Sequence, residues 1–237
     1  MNIKDSLLYE YAKSCYFAII HFICNTKRKP LISPLKTKLM SLNFAEGKLQ
    51  HINKLSIISS NCFAGRIMQD IGMEYNSPTL GLYFMYPDYI EFLKNLDYYL
   101  KEAKIEFVEH SKYPIGDERR KSWSHWYPIG LLGGKVEIHF LHYHTEKEAA
   151  EKWYRRSKRV NFDRLLIIGM QQNLCTEKDI IEFDSLPIEN KIMFSTLPLP
   201  LKSNEYMPEF GDSDIVGDPY RKGHIFYRHL INHIARQ

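Results

Sequence analysis

The sequence predicts an α/β fold in which a mixed, largely parallel sheet is flanked by helices and follows an N-terminal helical extension. Short apolar runs of the kind that form buried strands recur at residues 54–60, 165–169 and 191–196. Segments with helical spacing lie between these runs. Strands that alternate with helices are typical of a sheet built from parallel strands, so the pattern indicates an α/β domain.

The N-terminal extension covers residues 1–45, and the α/β domain covers residues 46–237. The extension contains the apolar run CYFAIIHFIC, at residues 15–24, which basic residues follow. A helix that spans a bilayer needs about 20 apolar residues, so this run is too short to cross. We expect a helix that packs on the core and ends at Pro30, or one that makes peripheral membrane contact through residues 15–38.

The α/β domain begins with a strand, a turn and a helix, which is the ordinary first unit of such a fold. The strand is residues 54–60, and helical spacing begins at Ile67 and stops at Gly72. A second apolar strand is predicted over residues 79–85. A helix with a regular apolar face is predicted over residues 88–103.

A long polar and aromatic loop, within residues 109–128, occupies the middle of the domain, and we interpret it as a cleft wall. A break between two subdomains is expected near residues 105–130. An alternating strand is predicted over residues 136–144, and a helix follows it.

Composition and charge exclude several classes of protein. The chain has 237 residues, of which 44% are hydrophobic and 25% charged, and this excludes a disordered chain. The excess of 32 Lys and Arg over 28 Asp and Glu is too small to indicate nucleic-acid binding. Four scattered cysteines without a CxxC pair indicate reduced thiols. Since no secretory signal opens the chain, we expect a cytoplasmic protein or one at the inner face of the membrane.

The turn after the first strand is the first candidate site. Ser60, Asn61 and Cys62 lie where a buried strand meets a helix N-terminus, and ligands bind at such junctions in open α/β sheets. The helix dipole is expected to lower the pKa of Cys62 and make it a nucleophile, with Asn61 as a second catalytic residue. Ser60 and Gly65 are expected to contact substrate. The alternative is a buried cysteine behind a helix that Asn61 or Ser60 caps.

The histidines of the strand at residues 136–144 are the second candidate. We expect His139 or His142 to be a catalytic base, and His144 to bind substrate. His142 and His144 share one face of the predicted strand. Such a pair can chelate a metal, but a third ligand at a recognisable spacing is missing, so we predict no metal site. The remaining candidates for substrate binding are Asn76, His125 and Trp126.

Two further patterns concern the cofactor. Asp212 and Asp214 form a D-x-D pair, which in many sugar-nucleotide glycosyltransferases holds a divalent cation on the diphosphate. In this sequence no apolar strand precedes the pair, which favours a solvated loop. The sequence contains no GxGxxG or P-loop motif for a nucleotide. The cofactor is therefore unknown, and an acyl donor such as acyl-CoA is the candidate that we consider.

Five motifs stand in a fixed order along the chain: SSNCFAG at 59–65, YNSP at 75–78, YPIG at 127–130, EIHFLHY at 137–143 and KWYRR at 152–156. In these motifs the chain resembles a bacterial family of exopolysaccharide or capsular polysaccharide biosynthesis proteins that is carried as a domain of unknown function. The chain departs from the family pattern at Ser60, Phe63 and Ala64, where the family has Asn, Trp and Gly.

The resemblance implies an α/β protein of surface-glycan biosynthesis with a glycan or sugar-lipid substrate, and it implies no particular reaction. The residues favour a transferase that modifies the glycan, and acyl transfer at the Ser-Asn-Cys turn is the first hypothesis. A metal-dependent glycosyltransferase that uses Asp212 and Asp214 is one alternative. A non-catalytic assembly protein of the glycan machinery is the other.

Overall fold

The computed structural model describes residues 3–44 and 47–236, with side chains at residues 14 and 16 and from residue 18 onward. The α-helices of this described part are α1 (Ile3–Met40), α2 (Phe63–Asp70), α3 (Tyr86–Lys94), α4 (Leu96–Lys101), α5 (Pro114–Ser122), α6 (Glu146–Ser157), α7 (Glu177–Ser185) and α8 (Gly223–Arg236). The strands are β1 (Asn43–Phe44), β2 (Gly47–Lys48), β3 (Ser56–Ser59), β4 (Ile105–Val108), β5 (Ile129–Leu132), β6 (Val136–His139), β7 (Leu165–Met170), β8 (Lys191–Ser195) and β9 (Asn204–Tyr206).

A four-stranded parallel sheet in the order β3-β7-β8-β9 forms the centre of the fold. Its strands β3, β7 and β8 are mainly apolar on both faces because each face is covered. Ile57 of β3 and Ile168 of β7 face one core, whereas Ile58 and Ile167 face the other. A separate antiparallel sheet has the order β4-β5-β6, and β1 pairs with β2. The predicted α/β class, with its largely parallel sheet, flanking helices and N-terminal helix, is confirmed.

Two hydrophobic cores lie on opposite faces of the parallel sheet. The first core contains side chains of α1, α2 and α8, among them Leu39 and Phe226. The second core lies between the parallel sheet and the antiparallel sheet and includes Phe92 of α3, Trp153 of α6 and Phe183 of α7. The antiparallel sheet and the helices α3 to α6 are inserted in the chain between α2 and β7.

Helix α1 continues through both of its prolines. Pro30 and Pro34 lie inside it, so the predicted helix end at Pro30 is wrong. Each proline removes one backbone N–H donor, and the carbonyl groups that lose this donor belong to Thr26 and Pro30. Both residues are exposed, so water can bond to these carbonyls and the helix tolerates the prolines.

The second half of α1 belongs to the first core, where Leu35 and Leu39 are fully buried. The domain boundary predicted at residues 45 and 46 lies outside the described residues, and the division at this point stays a prediction. The subdomain break expected near residues 105–130 also stays a prediction.

Among the described helices, none is long and apolar enough to cross a membrane.

Local sequence pattern misplaces three elements in the middle of the chain. Residues 79–85 are described without a strand, and Tyr83 makes a single antiparallel bridge to His139. The strand predicted over residues 136–144 ends at His139, where the backbone turns and the N–H of Leu141 donates to the carbonyl of His139 at 2.9 Å. The helix predicted after Pro87 divides into α3 and α4.

A buried ion cluster ties three helices together. Asp70, at the end of α2, accepts from Arg28 Nε of α1 at 2.6 Å and from Arg66 Nη2 at 3.0 Å. The hydroxyl of Tyr227, on α8, donates to the same carboxylate at 2.8 Å. The Arg28 and Asp70 side chains are only 4% and 8% exposed, so each depends on the other to offset its loss of hydration.

Replacing Asp70 with asparagine is expected to destabilise the protein by about 3 kcal/mol, because Arg28 is left buried without a counter-charge. Asp97→Asn is the matched control. Its ion pair with Lys101 is solvent-exposed, and we expect a change of less than about 1 kcal/mol. Urea denaturation of both variants measures the two free energies of unfolding, and equal losses would contradict this role of the cluster.

Candidate functional site

The backbone of residues 81–86 joins the two sheets, and the candidate site is built around it. The N–H of Phe84 donates to the carbonyl of Ser60, at the end of β3, at 3.0 Å. On the other side, Tyr83 and His139 exchange two hydrogen bonds of 3.0 Å, and His139 ends β6. The end of the parallel sheet and the end of the antiparallel sheet are therefore held together by one segment.

Three chain turns converge on this segment. The thiol of Cys62 donates to the carbonyl of Leu82 at 3.4 Å, and the N–H of His142 donates to the carbonyl of Gly81 at 2.9 Å. Asn173, just after β7, donates from its side chain to the carbonyl of Phe84 at 3.2 Å. Residues that follow three different strands are thus brought to one edge of the fold.

The turn between β3 and α2 is held by its own side chains. The hydroxyl of Ser59 accepts from the N–H of Ala64 at 2.9 Å, and Asn61 Oδ1 accepts from the N–H of Phe63 at 3.0 Å. These bonds satisfy N–H groups in the first turn of α2. Asn61 therefore stabilises the helix start, as the alternative interpretation of the sequence expected. Ser60 is buried, and its backbone continues the sheet.

A cavity of about 700 Å³ opens at the carboxyl ends of β3 and β7. Ligands of open α/β sheets bind at this edge. Its aromatic lining residues are Tyr83, Trp123, Phe210 and Tyr220. Its polar lining residues include Asn61, Arg119, His142, Asn173 and Asp218.

A smaller cavity of about 200 Å³ adjoins the first, since Cys62, His142 and Tyr220 line both. It adds two cations of α6, Lys152 and Arg156. We refer to the two cavities together as the cleft.

A network of amides holds one wall of the cleft in place. Gln172 accepts from Asn61 Nδ2 at 2.9 Å and donates to the carbonyls of Val216 and Gly217 at 3.0 and 3.1 Å. Gln171 bonds the same loop through the carbonyl of Asp214 at 3.1 Å. The loop around residues 213–220 is therefore fastened to the turn that carries Cys62.

Cys62 lies at the floor of the cleft, but its thiol is not activated. The side chain is buried, and this burial raises the pKa of the thiol to about 12, against an ordinary value of 9.0. The expectation of a lowered pKa at the helix N-terminus is therefore wrong. The loss of hydration of a thiolate at this depth outweighs the helix dipole, which stabilises an anion by only about 1 kcal/mol.

His139 lies behind the cleft, outside the cavity. Its ring is fully buried, stacks on Tyr83 at 4.5 Å and bonds through Nε2 to the carboxylate of Glu137 at 2.7 Å. Glu137 is itself buried and accepts from the hydroxyl of Ser111 and the N–H of Lys112. His139 supports the ring of Tyr83, which lines the cavity. Because the ring of His139 is buried outside the cavity, it cannot reach a substrate there as the predicted base.

His142 is the histidine that lines both cavities of the cleft. It lies in the turn after β6, so the predicted pairing of His142 and His144 on one strand face is wrong. Loss of hydration within the cleft and the charge of His125 lower the pKa of His142 below its ordinary value of 6.5. The ring is therefore neutral at pH 7 and able to accept a proton.

Arg119 is placed on the opposite wall by two contacts. Its Nη1 donates to Asn173 Oδ1 at 2.7 Å, and its guanidinium lies over the ring of Tyr83 at 4.8 Å. Asn173 and Leu174 have positive φ angles of 51° and 68°, a conformation that is uncommon for leucine. Backbone strain of this kind is concentrated at functional sites.

The other predicted substrate-binding residues lie outside the main cavity. Asn76 donates to the carbonyl of Asn53 at 2.7 Å and holds a loop. A Cβ on Gly65 would lie 2.8 Å from Leu80 Cδ2, so this glycine makes room for Leu80 and lines only the smaller cavity. His125 and His144 contact each other at the surface, with ring centroids 5.0 Å apart. Trp126 is exposed, and Trp123 takes the position in the cavity wall.

Sequence reasoning missed several lining residues. Gln172 and Asn173 lie two and three residues after the apolar strand β7, and Asn61 lies two residues after β3, so the rule that selected the first turn could have selected the second. Arg119, Asp218 and Tyr220 lie in segments without a comparable local signal. Asp212 and Asp214 are exposed, and within the described residues no group of three or more His, Cys, Asp and Glu side chains is arranged to hold a metal.

Comparison with known proteins places the chain in a family. Residues 36–234 match the family described as a domain of unknown function, DUF1919. The chain belongs to this family. An uncharacterized protein of Haemophilus influenzae (strain Rd) is 38% identical to this DUF1919 chain over 165 residues, which cover 69% of the chain and 73% of that protein. The resemblance to a domain of unknown function is thereby confirmed.

In this DUF1919 chain, alkylation of Cys62 by iodoacetamide at neutral pH is expected to be on the order of 10³-fold slower than in the unfolded chain. The reason is the raised pKa, which removes nearly all thiolate from the native state. Mass spectrometry of the peptide that contains Cys62, after labelling with and without urea, measures the ratio. Equal rates would show a thiol with an ordinary pKa, and a faster native rate would show an activated thiol; either result would contradict the burial argument.

Proposed function

We propose that the chain is a transferase of surface-polysaccharide biosynthesis that transfers an acyl group to a sugar hydroxyl in the cleft, with His142 as the general base. The observation that carries this proposal is the position of His142, a neutral histidine in the same cavity as the N-terminus of α2. A neutral imidazole accepts a proton, and the dipole of α2, whose first N–H groups are already bonded to Ser59 and Asn61, favours negative charge that develops nearby on an acyl oxygen.

The lining of the larger cavity supports a saccharide as the acceptor. The rings of Tyr83, Trp123 and Tyr220 offer flat apolar surfaces, which pack well on the apolar face of a pyranose. Asn173 and Asp218 add hydrogen-bonding groups for sugar hydroxyls. The resemblance of the motif order to polysaccharide biosynthesis proteins supports the same class of acceptor.

Cations in the cleft support a donor that carries phosphate. Arg119 lines the larger cavity, and Lys152 and Arg156 line the smaller one. Arginine and lysine bind phosphate oxygens through charge-assisted hydrogen bonds. An acyl-coenzyme A thioester has such phosphates, and it supplies the activated acyl group that the reaction needs.

In the proposed reaction, His142 removes the proton of the acceptor hydroxyl while the oxygen of that hydroxyl attacks the carbonyl carbon of the thioester. A new C–O bond forms, the C–S bond breaks, and the departing thiolate takes the proton from the imidazolium. Cys62 is not a nucleophile in this scheme. With its thiol protonated and bonded to Leu82, it forms part of the cleft floor.

Glycosyl transfer from a nucleotide sugar is a second candidate, and Asp218 is the observation that favours it. All three carboxylates are exposed, but Asp218 lines the cavity and Asp212 and Asp214 do not. A nucleotide sugar carries a diphosphate, like coenzyme A, so the cations do not separate the two donors. Mass spectrometry of the modified glycan distinguishes the two reactions, because one adds an acyl group and the other a sugar.

Changing His142 to glutamine is expected to reduce the acyl content of the surface glycan by about 100-fold or more, since the base is lost. His144→Gln is the matched control, because both histidines are exposed but His144 lines neither cavity, and Cys62→Ser should also keep most of the activity. The measurement is the acyl content of glycan from a deletion strain that carries each variant.

Two results would overturn the proposal. A His142→Gln variant that stays active would show that His142 is not the general base. An inactive Cys62→Ser variant that is folded, with the melting temperature of the unmodified protein, would restore the thiol as the reacting group.

A further inference from the structure

The first half of α1 carries large apolar side chains that are open to solvent. Tyr16, Ile19, Phe22 and Ile23 are 59%, 59%, 71% and 45% exposed. Spacings of three, four and seven residues place them side by side on the helix, and we call these four residues the apolar stripe. Contiguous exposed apolar surface is typical of sites that bind a protein or a membrane.

The apolar stripe adjoins a part of α1 that is bonded to the rest of the protein. The thiol of Cys24 donates to the carbonyl of Arg221 at 2.7 Å, and Arg28 forms the buried ion pair with Asp70. Gly223 starts α8, and a Cβ there would lie 3.3 Å from Arg28 Cδ, so the two helices meet closely at this point. The helix is thus anchored from residue 24 onward.

Exposed cations surround the anchoring point. Lys27 and Lys29 follow the apolar stripe on α1, and Lys222 and Arg228 lie just before and within α8. Burial and the charges of Lys27, Arg228 and Lys222 lower the pKa of His224, which places these three cations around one histidine. We call Lys27, Lys29, Lys222 and Arg228 the basic cluster. Residues almost 200 positions apart in sequence form it together.

We propose that the apolar stripe and the basic cluster together bind the surface of an anionic lipid bilayer. The stripe inserts among the acyl chains near the headgroups, and the basic cluster beside it contacts anionic headgroups. Charge complementarity favours an anionic bilayer as the partner. In each leaflet the apolar acyl chains lie beside negatively charged phosphates, and on the protein the apolar stripe lies beside cations. The helix lies on the bilayer without crossing it, since it is not apolar enough to span.

One consequence rests on the function proposed for the cleft. Arg66 lies over the ring of Tyr220 at 5.9 Å and donates to Asn25 Oδ1 of α1 at 3.2 Å. Tyr220 lines both cavities, so the cleft is separated from the bilayer-binding helix by two contacts. A bilayer bound to α1 therefore brings lipid-carried sugars close to the cleft.

Cosedimentation with vesicles tests the inference on the full chain. The vesicles are phosphatidylcholine alone, or phosphatidylcholine with phosphatidylglycerol. We expect binding to the anionic vesicles, at least about tenfold weaker binding of Phe22→Glu, and a similar loss when Lys27 and Lys222 are changed to glutamate. Ile181→Glu is the matched control, because this apolar side chain is also exposed, at 48%, but lies on α7 outside the stripe, and it should bind as the unmodified chain does.

Two outcomes would overturn the inference. One is equal binding to both kinds of vesicle by the chain and by Phe22→Glu. The other is a dimer in analytical ultracentrifugation that Phe22→Glu dissociates, in a chain that binds no vesicles, because the stripe would then join two copies. The readout is lipid binding alone, so its failure leaves the function proposed for the cleft unaffected, and the loss of acyl transfer in His142→Gln leaves lipid binding unaffected.

Discussion

The hydrogen bonds that the backbone of residues 81–86 makes on both of its sides are the constraint on which the site depends. On one side this segment bonds to Ser60 at the end of the parallel sheet, and on the other to His139 at the end of the antiparallel sheet. Without these bonds the two sheets would share only side-chain packing in the second core. With them, the turns after β3, β6 and β7 meet at one edge, and the space between them is the cleft.

The same constraint explains why chemistry-bearing residues divide into two groups. His139 and Cys62 bond to the segment or stack on it, and they are buried as a result. His142 bonds to the segment only through its backbone, and Arg119 lies over the ring of Tyr83, so both side chains face the cavity. Burial turns the first pair into supports for the cleft, because His139 lies outside the cavity and a thiolate at the depth of Cys62 would lose its hydration. The second pair keeps access to a ligand and to protons.

The local sequence pattern was sufficient to predict the strands that are buried on both faces of the sheet. The strands at residues 56–59, 165–170 and 191–195 show as apolar runs, and the polar turn after β3 stands out against them. Residues 79–85 have the same apolar character, but their hydrogen bonds run to two different sheets, and this depends on tertiary contacts. The pKa of Cys62 also depends on tertiary contacts, since the helix N-terminus is visible in the sequence and the burial is not.

The claim at the centre of this interpretation is that the cleft, and no other cavity, binds the donor. A crystal structure of the chain with a coenzyme A thioester measures this directly. The expected result is a ligand whose phosphates contact Arg119 or Arg156 and whose thioester lies beside His142. A cavity of about 480 Å³ at the opposite, amino-terminal edge of the sheet, lined by Asn204 and His233, is the natural competitor. A thioester bound there, or an empty cleft at saturating ligand, would contradict the claim.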